Sequence, residues 1–202
     1  MMTSIVVDHL SKTFENDISV GIAFLYCNFQ KRQNQRPLDL LANLLKQLVQ
    51  RRPTLPQSVK GLYERYKGKQ TRPAFDEILK EIRSIVADYS RTFILIDALD
   101  ELQVSDVGHK SILAEMFDLQ TKSGASLYAT SRYVPEITKQ FDGRSTSIEI
   151  RASNKDVQRY LDGRIPQLLR HNIWKYPDLQ DMIKREIVKA ADGMYAHNFI
   201  NL

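Results

Sequence analysis

The chain has 202 residues, of which 43% are hydrophobic and 26% are charged, and its formal net charge is +5. This composition is typical of a globular protein with a substantial core, and it excludes wholesale disorder. No apolar run is long enough to span a bilayer, and the opening MMTSIVVDHL lacks the features of a signal peptide. The single cysteine, Cys27, lies in an apolar stretch, which favours a reducing, cytoplasmic location and a buried thiol.

The excess of basic residues permits phosphate-rich partners without requiring them. Small basic clusters occur at 31–36, 51–52 and 67–72. None of them has the interleaved aromatic residues of a single-strand binder or the cysteine and histidine spacing of a zinc finger. Solvated helix faces and loops explain these charges equally well, so nucleic-acid binding ranks last among the functions considered.

Short apolar runs alternate with longer helical patterns along most of the chain. Ile5, Val6 and Leu10 predict the buried side of an opening helix. Buried strands are predicted at 21–29, 92–97, 125–131 and 146–150, and helices at 36–52, from 73 onwards and at 109–122. This alternation predicts an α/β unit with a parallel sheet and flanking helices.

The pattern changes at Ser153, where SNKD resembles a helix start with an N-cap and an acid three residues later. Two helices are predicted at 154–169 and 178–191, and Gly193 is well placed to end the second. We therefore predict two parts, an α/β domain over 1–152 and the start of a helical domain over 153–202.

The stretch FILIDALDEL, at 93–102, contains three acidic residues that are candidates for a functional site. Asp97 follows a buried strand directly, and Asp100 and Glu101 come soon after. Ligands of open α/β sheets lie beyond the carboxyl ends of the strands, and Mg²⁺ prefers oxygen ligands there. Asp97 is thus a candidate metal ligand, and Asp100 or Glu101 could polarise a water for attack on a phosphate. The alternative is a turn carboxylate that binds no ligand.

The third predicted strand ends in Thr130, Ser131 and Arg132. An arginine at this position can sense or stabilise a terminal phosphate, and a hydroxyl group can orient the attacking water. The alternative is a surface arginine in the turn before Pro135.

These segments, in this order, resemble the NACHT-type signal-transduction NTPases, and especially the nephrocystin-like group common in fungal ankyrin- and WD-repeat proteins. FILIDALDEL (93–102) resembles their Walker B motif, and LYATSRYVPEI (127–137) resembles their sensor 1 strand. The segment at 21–48 resembles the region between the two Walker motifs. Those at 148–165 and 187–196 resemble the entry to the helical domain and its signature.

The phosphate-binding GxxxxGK[ST] motif of this family does not occur in the 202 residues. The opening MMTSIVVDHL resembles the helix that follows that motif, so the resemblance implies a chain truncated just after Walker A. It also implies that the strand before the motif is missing from the sheet, between the strands at 125–131 and 146–150. The strand at 146–150 must then leave a gap or pair with another neighbour, and NTPase activity is expected to be negligible.

The resemblance implies a function for the intact parent: binding and hydrolysis of ATP or GTP with Mg²⁺ as a regulatory assembly switch. Asp97 would hold the metal and nucleotide, Asp100 or Glu101 would activate water, and Ser131 and Arg132 would contact the nucleotide. Protein partners or self-assembly are expected as well. The alternative is a non-enzymatic interaction module, in which the leucine-rich helix at 36–52 and the helical part dock onto partner proteins.

Overall fold

The structure, a computed structural model, describes residues 2–28, 36–69, 71–102, 112–151, 153–168, 177–191 and 195–201. The helices are α1 (Met2–Thr13), α2 (Pro37–Gln50), α3 (Gln57–Tyr66), α4 (Phe75–Ala87), α5 (Ile112–Ser123), α6 (Pro135–Phe141), α7 (Asn154–Leu168) and α8 (Pro177–Ala191). The strands are β1 (Val20–Tyr26), β2 (Arg91–Asp97), β3 (Ser126–Ser131), β4 (Thr146–Arg151) and β5 (Tyr195–Asn201). A short 3-10 turn, Leu99–Glu101, follows β2.

The five strands form one sheet in the order β1-β2-β3-β5-β4. The first three strands are parallel, with Tyr26 opposite Asp97 and Ile96 opposite Ala129. The α/β fold with a mainly parallel sheet is therefore confirmed. Because the strands are parallel and in register, β1 and β2 end together, with β3 beside them, at one edge of the sheet.

The main hydrophobic core lies between the sheet and helices α2, α4 and α5. The helix α2 contributes a stripe of leucines that are at most 8% exposed: Leu40, Leu41, Leu44, Leu45 and Leu48. This stripe follows from the helical spacing of apolar residues after Pro37, which occupies the first turn. These leucines are buried in the core of the chain itself, which argues against the leucine stripe as a docking surface.

A smaller cluster lies on the other face of the sheet, where α1 packs. Val6, Val7 and Leu10 are partly buried against Val20, Ile22 and Leu95. The prediction that Ile5 also faces this cluster is wrong, because its side chain is 62% exposed. The buried residue of α1 is Thr3, at 0% exposed, because its hydroxyl group is turned towards the end of β2.

The strand β5 was not predicted from the sequence. It lies between β3 and β4, at the place where the resemblance implied a missing strand, so β4 pairs with a neighbour from far along the chain. Its Phe199 is 2% exposed and belongs to the main core. Residues 195–201 are therefore a strand because two sheet edges and an aromatic contact are available to them.

The chain divides into two compact units, one of residues 1–148 with 198–202 and one of residues 149–197. In the second unit, α7 packs against α8, and Lys184 pairs with Asp162 at 2.6 Å. Within the described ranges, no helix combines the length and the apolar character that a bilayer crossing requires.

The outer edge of β1 is covered by side chains of α2. The Gln47 amide group accepts a hydrogen bond from the Phe24 N–H at 2.9 Å and donates one to the Phe24 carbonyl oxygen at 2.8 Å. Arg51 donates to the Val20 carbonyl oxygen at 3.1 Å. These side chains occupy backbone groups that an edge strand otherwise presents to other chains.

We predict that Gln47→Ala lowers the free energy of unfolding by about 1 kcal/mol, because two hydrogen bonds to the edge strand are lost. Urea unfolding followed by circular dichroism measures this change. Gln50→Ala, an exposed position on the same helix, is the matched control and should leave the midpoint unchanged. Equal midpoints for the wild type and Gln47→Ala would contradict the role given to this amide group.

Candidate functional site

The site begins at Asp97, the last residue of β2. The residue that follows β1 helps to fix its position, because the Cys27 N–H donates to the Asp97 carbonyl oxygen at 3.1 Å. The Asp97 side chain accepts two hydrogen bonds on the same oxygen, Oδ1, from the hydroxyl groups of Thr3 and Thr130. Oδ1 of this carboxylate is therefore held in place from two elements of the fold, α1 and β3.

Thr130 connects β3 to the turn after β2. Its Oγ1 accepts a hydrogen bond from the Ala98 N–H at 2.9 Å and donates one to Asp97 Oδ1 at 2.8 Å. Ala98 has the left-handed backbone conformation, with φ 52° and ψ 54°, which costs a residue with a side chain about 1–2 kcal/mol. The hydrogen bond that the Ala98 N–H donates to Thr130 helps to hold this strained turn, which carries Asp100 and Glu101.

Asp100 and Arg132 are brought together as an ion pair. Arg132 donates to Asp100 through its backbone N–H at 2.9 Å and through Nε at 2.6 Å. The Asp100 side chain is 4% exposed, whereas that of Arg132 is 76% exposed. Burial alone would raise the pKa of Asp100, but the two hydrogen bonds and the charge of Arg132 lower it overall. With both oxygens bound and a lowered pKa, Asp100 is a poor proton acceptor.

Two predicted site residues remain, Ser131 and Glu101. Ser131 is 2% exposed, and its hydroxyl group donates to the Arg132 carbonyl oxygen at 2.7 Å, so it supports the turn instead of reaching Asp97. Glu101 is half-buried at the end of the 3-10 turn. Because Asp100 is a poor proton acceptor, Glu101 is the remaining one of the two predicted acids that could activate a water.

Thr3 is a site residue that the sequence analysis missed. It lies in the first turn of α1, is fully buried, and donates to Asp97, which is 94 residues away in the chain. Tyr128 of β3 is hydrogen-bonded to it. Burial raises the pKa of Tyr128, the bond to Thr3 opposes this rise, and the charge of Asp97 adds to it. The signal in the sequence was a threonine among the apolar residues that open the helix.

The acidic residues of the site affect the pKa of the Cys27 thiol. Burial raises the pKa of its thiol to about 12, and the carboxylates of Asp97, Glu101 and Asp100 contribute to the rise. We predict that the native protein does not react with Ellman's reagent near the ordinary thiol pKa of about 8.5, and that the unfolded protein does so at once. Rapid, stoichiometric labelling of the native protein would show that the thiol is accessible and ionised.

Asp97 is the acid of this site that could hold a hydrated divalent cation. Within the described part of the chain, no three histidine, cysteine, aspartate or glutamate side chains stand close enough to enclose a metal ion. Mg²⁺ does not need such an enclosure, because it keeps several waters and binds one or two carboxylates together with substrate phosphates. The Asp97 carboxylate is the group that would contact the ion or its water shell.

Comparison with known proteins gives one result for the chain. The family model described as nephrocystin 3, N-terminal, matches residues 1–132, which is more than half of the chain. The match ends at Arg132, so it includes α1, the Asp97 turn and the strand β3 with Thr130. No curated protein and no solved structure matched the chain. The chain belongs to the nephrocystin 3 N-terminal family.

Proposed function

We propose that Asp97 and the residues around it form the magnesium and nucleotide site of a NACHT-type signal-transduction NTPase. We call this group the Asp97 cluster: Thr3, Asp97, Asp100, Glu101, Thr130 and Arg132. The observation that carries this proposal is the Asp97 carboxylate, whose Oδ1 is fixed by two hydroxyl groups from α1 and β3. It stands at the carboxyl end of a parallel strand, where α/β sheets bind their ligands. A carboxylate oriented in this way can hold a cation with little reorganisation when a nucleotide arrives.

Each residue of the cluster then has its own role. Asp97 would hold Mg²⁺, which would neutralise phosphate charge during phosphoryl transfer. Thr3 and Thr130 would orient Asp97, and Glu101 would position or deprotonate the attacking water. Arg132 would keep the turn in place through Asp100 and reach the terminal phosphate with its exposed guanidinium group.

The regulatory part of the proposal follows from coupling between these elements. The side chains that fix Asp97 come from α1, a helix packed on one face of the sheet, and from β3, a strand of the sheet. A bound nucleotide that changed the contacts of Asp97 would therefore act on both elements together. This coupling is the physical basis for proposing a nucleotide-controlled assembly switch. The single, buried cysteine is the basis for proposing that the switch acts in the cytoplasm.

The proposal is tested by titrating fluorescent ATP and GTP analogues with and without Mg²⁺. Two proteins are compared: the 202-residue chain, and a chain extended at its front by a strand and a GxxxxGK[ST] loop. We predict magnesium-dependent binding that is much tighter in the extended chain, because a phosphate loop supplies several convergent N–H donors. Asp97→Asn should weaken binding of the extended chain by about tenfold or more, a loss of at least about 1.4 kcal/mol.

Asp88→Asn is the matched control, because Asp88 precedes β2 and forms a surface pair with Arg52 at the opposite end of that strand. It should leave binding unchanged. Absence of magnesium-dependent binding in the extended chain would overturn the proposal. Equal binding by the extended wild type and Asp97→Asn would overturn the role of Asp97 alone.

A further inference from the structure

A cavity of about 320 Å³ lies between α2, α3 and the start of α4. Helix α2 lines it with Leu38, Ala42 and Val49, and α3 lines it with Val59 and Leu62. We call this cavity the α2–α3 groove. None of the residues that line it belongs to the Asp97 cluster, so it is a separate feature of the fold.

The floor of the α2–α3 groove is buried, whereas its walls are in contact with water. Leu45, Leu62 and Ile78 line the groove and are at most 8% exposed. The other apolar residues that line it from α2, and Val59 of α3, are only partly buried. Leu45 belongs to the leucine stripe of the core, and the rest of the α2 lining comes from a neighbouring face of that helix. A partner that covered the groove would therefore bury apolar surface that the fold leaves partly exposed.

The groove is elongated along α2. Its lining residues Leu38, Ala42, Leu45 and Val49 follow one another at intervals of four, three and four positions. Eleven residues of helix correspond to a length of about 16 Å, or about three turns. An amphipathic helix presents apolar anchors with the same spacing, and such helices commonly bind in apolar grooves between helices. The shape of the groove therefore fits a partner helix.

The elements that form the groove carry the positive charge of the chain. Residues 36–72 contain nine lysines and arginines and only two acidic residues, a net charge of +7. The whole chain has a net charge of +5, so the residues outside this segment together carry −2. A surface of this kind attracts acidic partners and repels basic ones.

Two of the basic side chains line the groove itself. Lys46 is exposed, and within the described part of the chain it forms no ion pair. Arg72 pairs with Asp39 at 2.6 Å, and Arg36 pairs with the same carboxylate at 3.1 Å. Because these two arginines share one acid, their end of the groove keeps a net positive charge.

We propose that the α2–α3 groove binds an acidic amphipathic helix of a partner protein. The apolar side chains of that helix would fill the groove and supply most of the affinity, as buried anchors do in other interfaces. Its acidic residues would face Lys46 and the Arg36–Asp39–Arg72 group, which would select acidic partners and set the orientation of the helix. This inference does not depend on the nucleotide site, because it uses different residues.

The first test measures fluorescence anisotropy with the 202-residue chain and labelled synthetic helices of about 18 residues, long enough to cover the groove. The probe has leucine at every third or fourth position and glutamate beside these leucines. One control peptide replaces each glutamate with lysine, and another replaces each leucine with serine. We expect binding of the probe alone. Absence of probe binding, or equal binding of either control peptide, would overturn the proposal.

The second test uses two charge-reversed variants with the same probe. Lys46→Glu should weaken binding about three- to tenfold, because an exposed attraction becomes a repulsion. Lys80→Glu is the matched control, since Lys80 is an exposed lysine of α4 that does not line the groove. Both changes alter the net charge equally, and both positions are exposed, so both variants should fold. An equal loss of binding in the two variants would show a general effect of charge and would overturn the proposal.

The third test examines the groove itself. Ala42→Phe should fill part of it and weaken binding of the probe about tenfold or more, with an unchanged circular dichroism spectrum. In the unaltered chain, nuclear magnetic resonance signals of Ala42, Val49 and Val59 should shift when the probe is added, whereas those of Val6 and Val7 on α1 should not. Shifts confined to residues outside the groove would overturn the proposal. So would binding to phosphatidylserine vesicles without binding of the probe, which would indicate a surface for lipid.

Discussion

Thr130→Val should destabilise the protein by about 2–4 kcal/mol, because the substitution removes two buried hydrogen bonds and keeps the side-chain volume nearly constant. The Ala98 N–H loses its acceptor, and Asp97 Oδ1 loses one of its two donors. Thr130 is 8% exposed, so water cannot readily replace the lost partners. The strained turn at Ala98 would then lose a contact that holds its left-handed backbone.

Chemical unfolding of Thr130→Val beside the wild type measures this loss. Thr121→Val is the matched control, since the Thr121 hydroxyl group bonds a carbonyl oxygen within α5 on an exposed part of the helix. The control should change the stability by no more than about 0.5 kcal/mol, as is usual for surface substitutions. If the two variants were equally stable, the bridging role of Thr130 would have to be abandoned.

Arg132→Ala should lower the stability by about 1–2 kcal/mol at neutral pH, because a charge-assisted hydrogen bond to Asp100 is lost. The Arg132 side chain is mostly exposed, which limits the effect, whereas the Asp100 carboxylate is buried and loses a partner. The backbone N–H of residue 132 still bonds Asp100 in the variant, so the turn should keep its shape.

The effect of Arg132→Ala should depend on pH in a defined direction. The hydrogen bonds and charge of Arg132 lower the pKa of Asp100 below its ordinary value of 3.8. The pair therefore contributes its full stability above the ordinary carboxyl pKa, and the contribution is lost as the pH falls through the lowered pKa. The wild type and Arg132→Ala should differ most at neutral pH and converge in acid.

Unfolding midpoints measured between neutral and strongly acidic pH test this expectation. Arg144→Ala is the comparison variant, because Arg144 is an exposed arginine that contacts the Phe117 ring. The stability loss in that variant should not follow the titration of Asp100. A difference between the wild type and Arg132→Ala that stayed constant into strong acid would rule out Asp100 as the partner that matters.

The sheet and the acidic turn could be predicted from local patterns, because buried parallel strands are continuous apolar runs. The run before Asp97 predicted β2 and its end, and the strand before Ser131 predicted β3. The placement of Asp97 at the carboxyl end of a parallel strand also needed only the order of strands and helices. These features depend on residues that are close together in the sequence.

The contacts that were missed depend on residues far apart in the chain. Thr3 reaches Asp97 across 94 positions, and nothing near Thr3 predicts its partner. Asp100 and Arg132 were both assigned to the site, but their pairing with each other depends on how β3 lies beside β2. Residues 195–201 have no clear strand pattern, and they pair because β3 and β4 offer open edges.

The interior position of β5 also has a consequence for the order of folding. A ribosome releases β1, β2 and β3 long before it releases residues 195–201, so the middle of the sheet stays open while most of the chain is made. Contacts between such distant segments slow folding, and an unpaired strand edge favours aggregation in the meantime. A nascent chain of this protein should therefore depend on chaperones until residues 195–201 emerge.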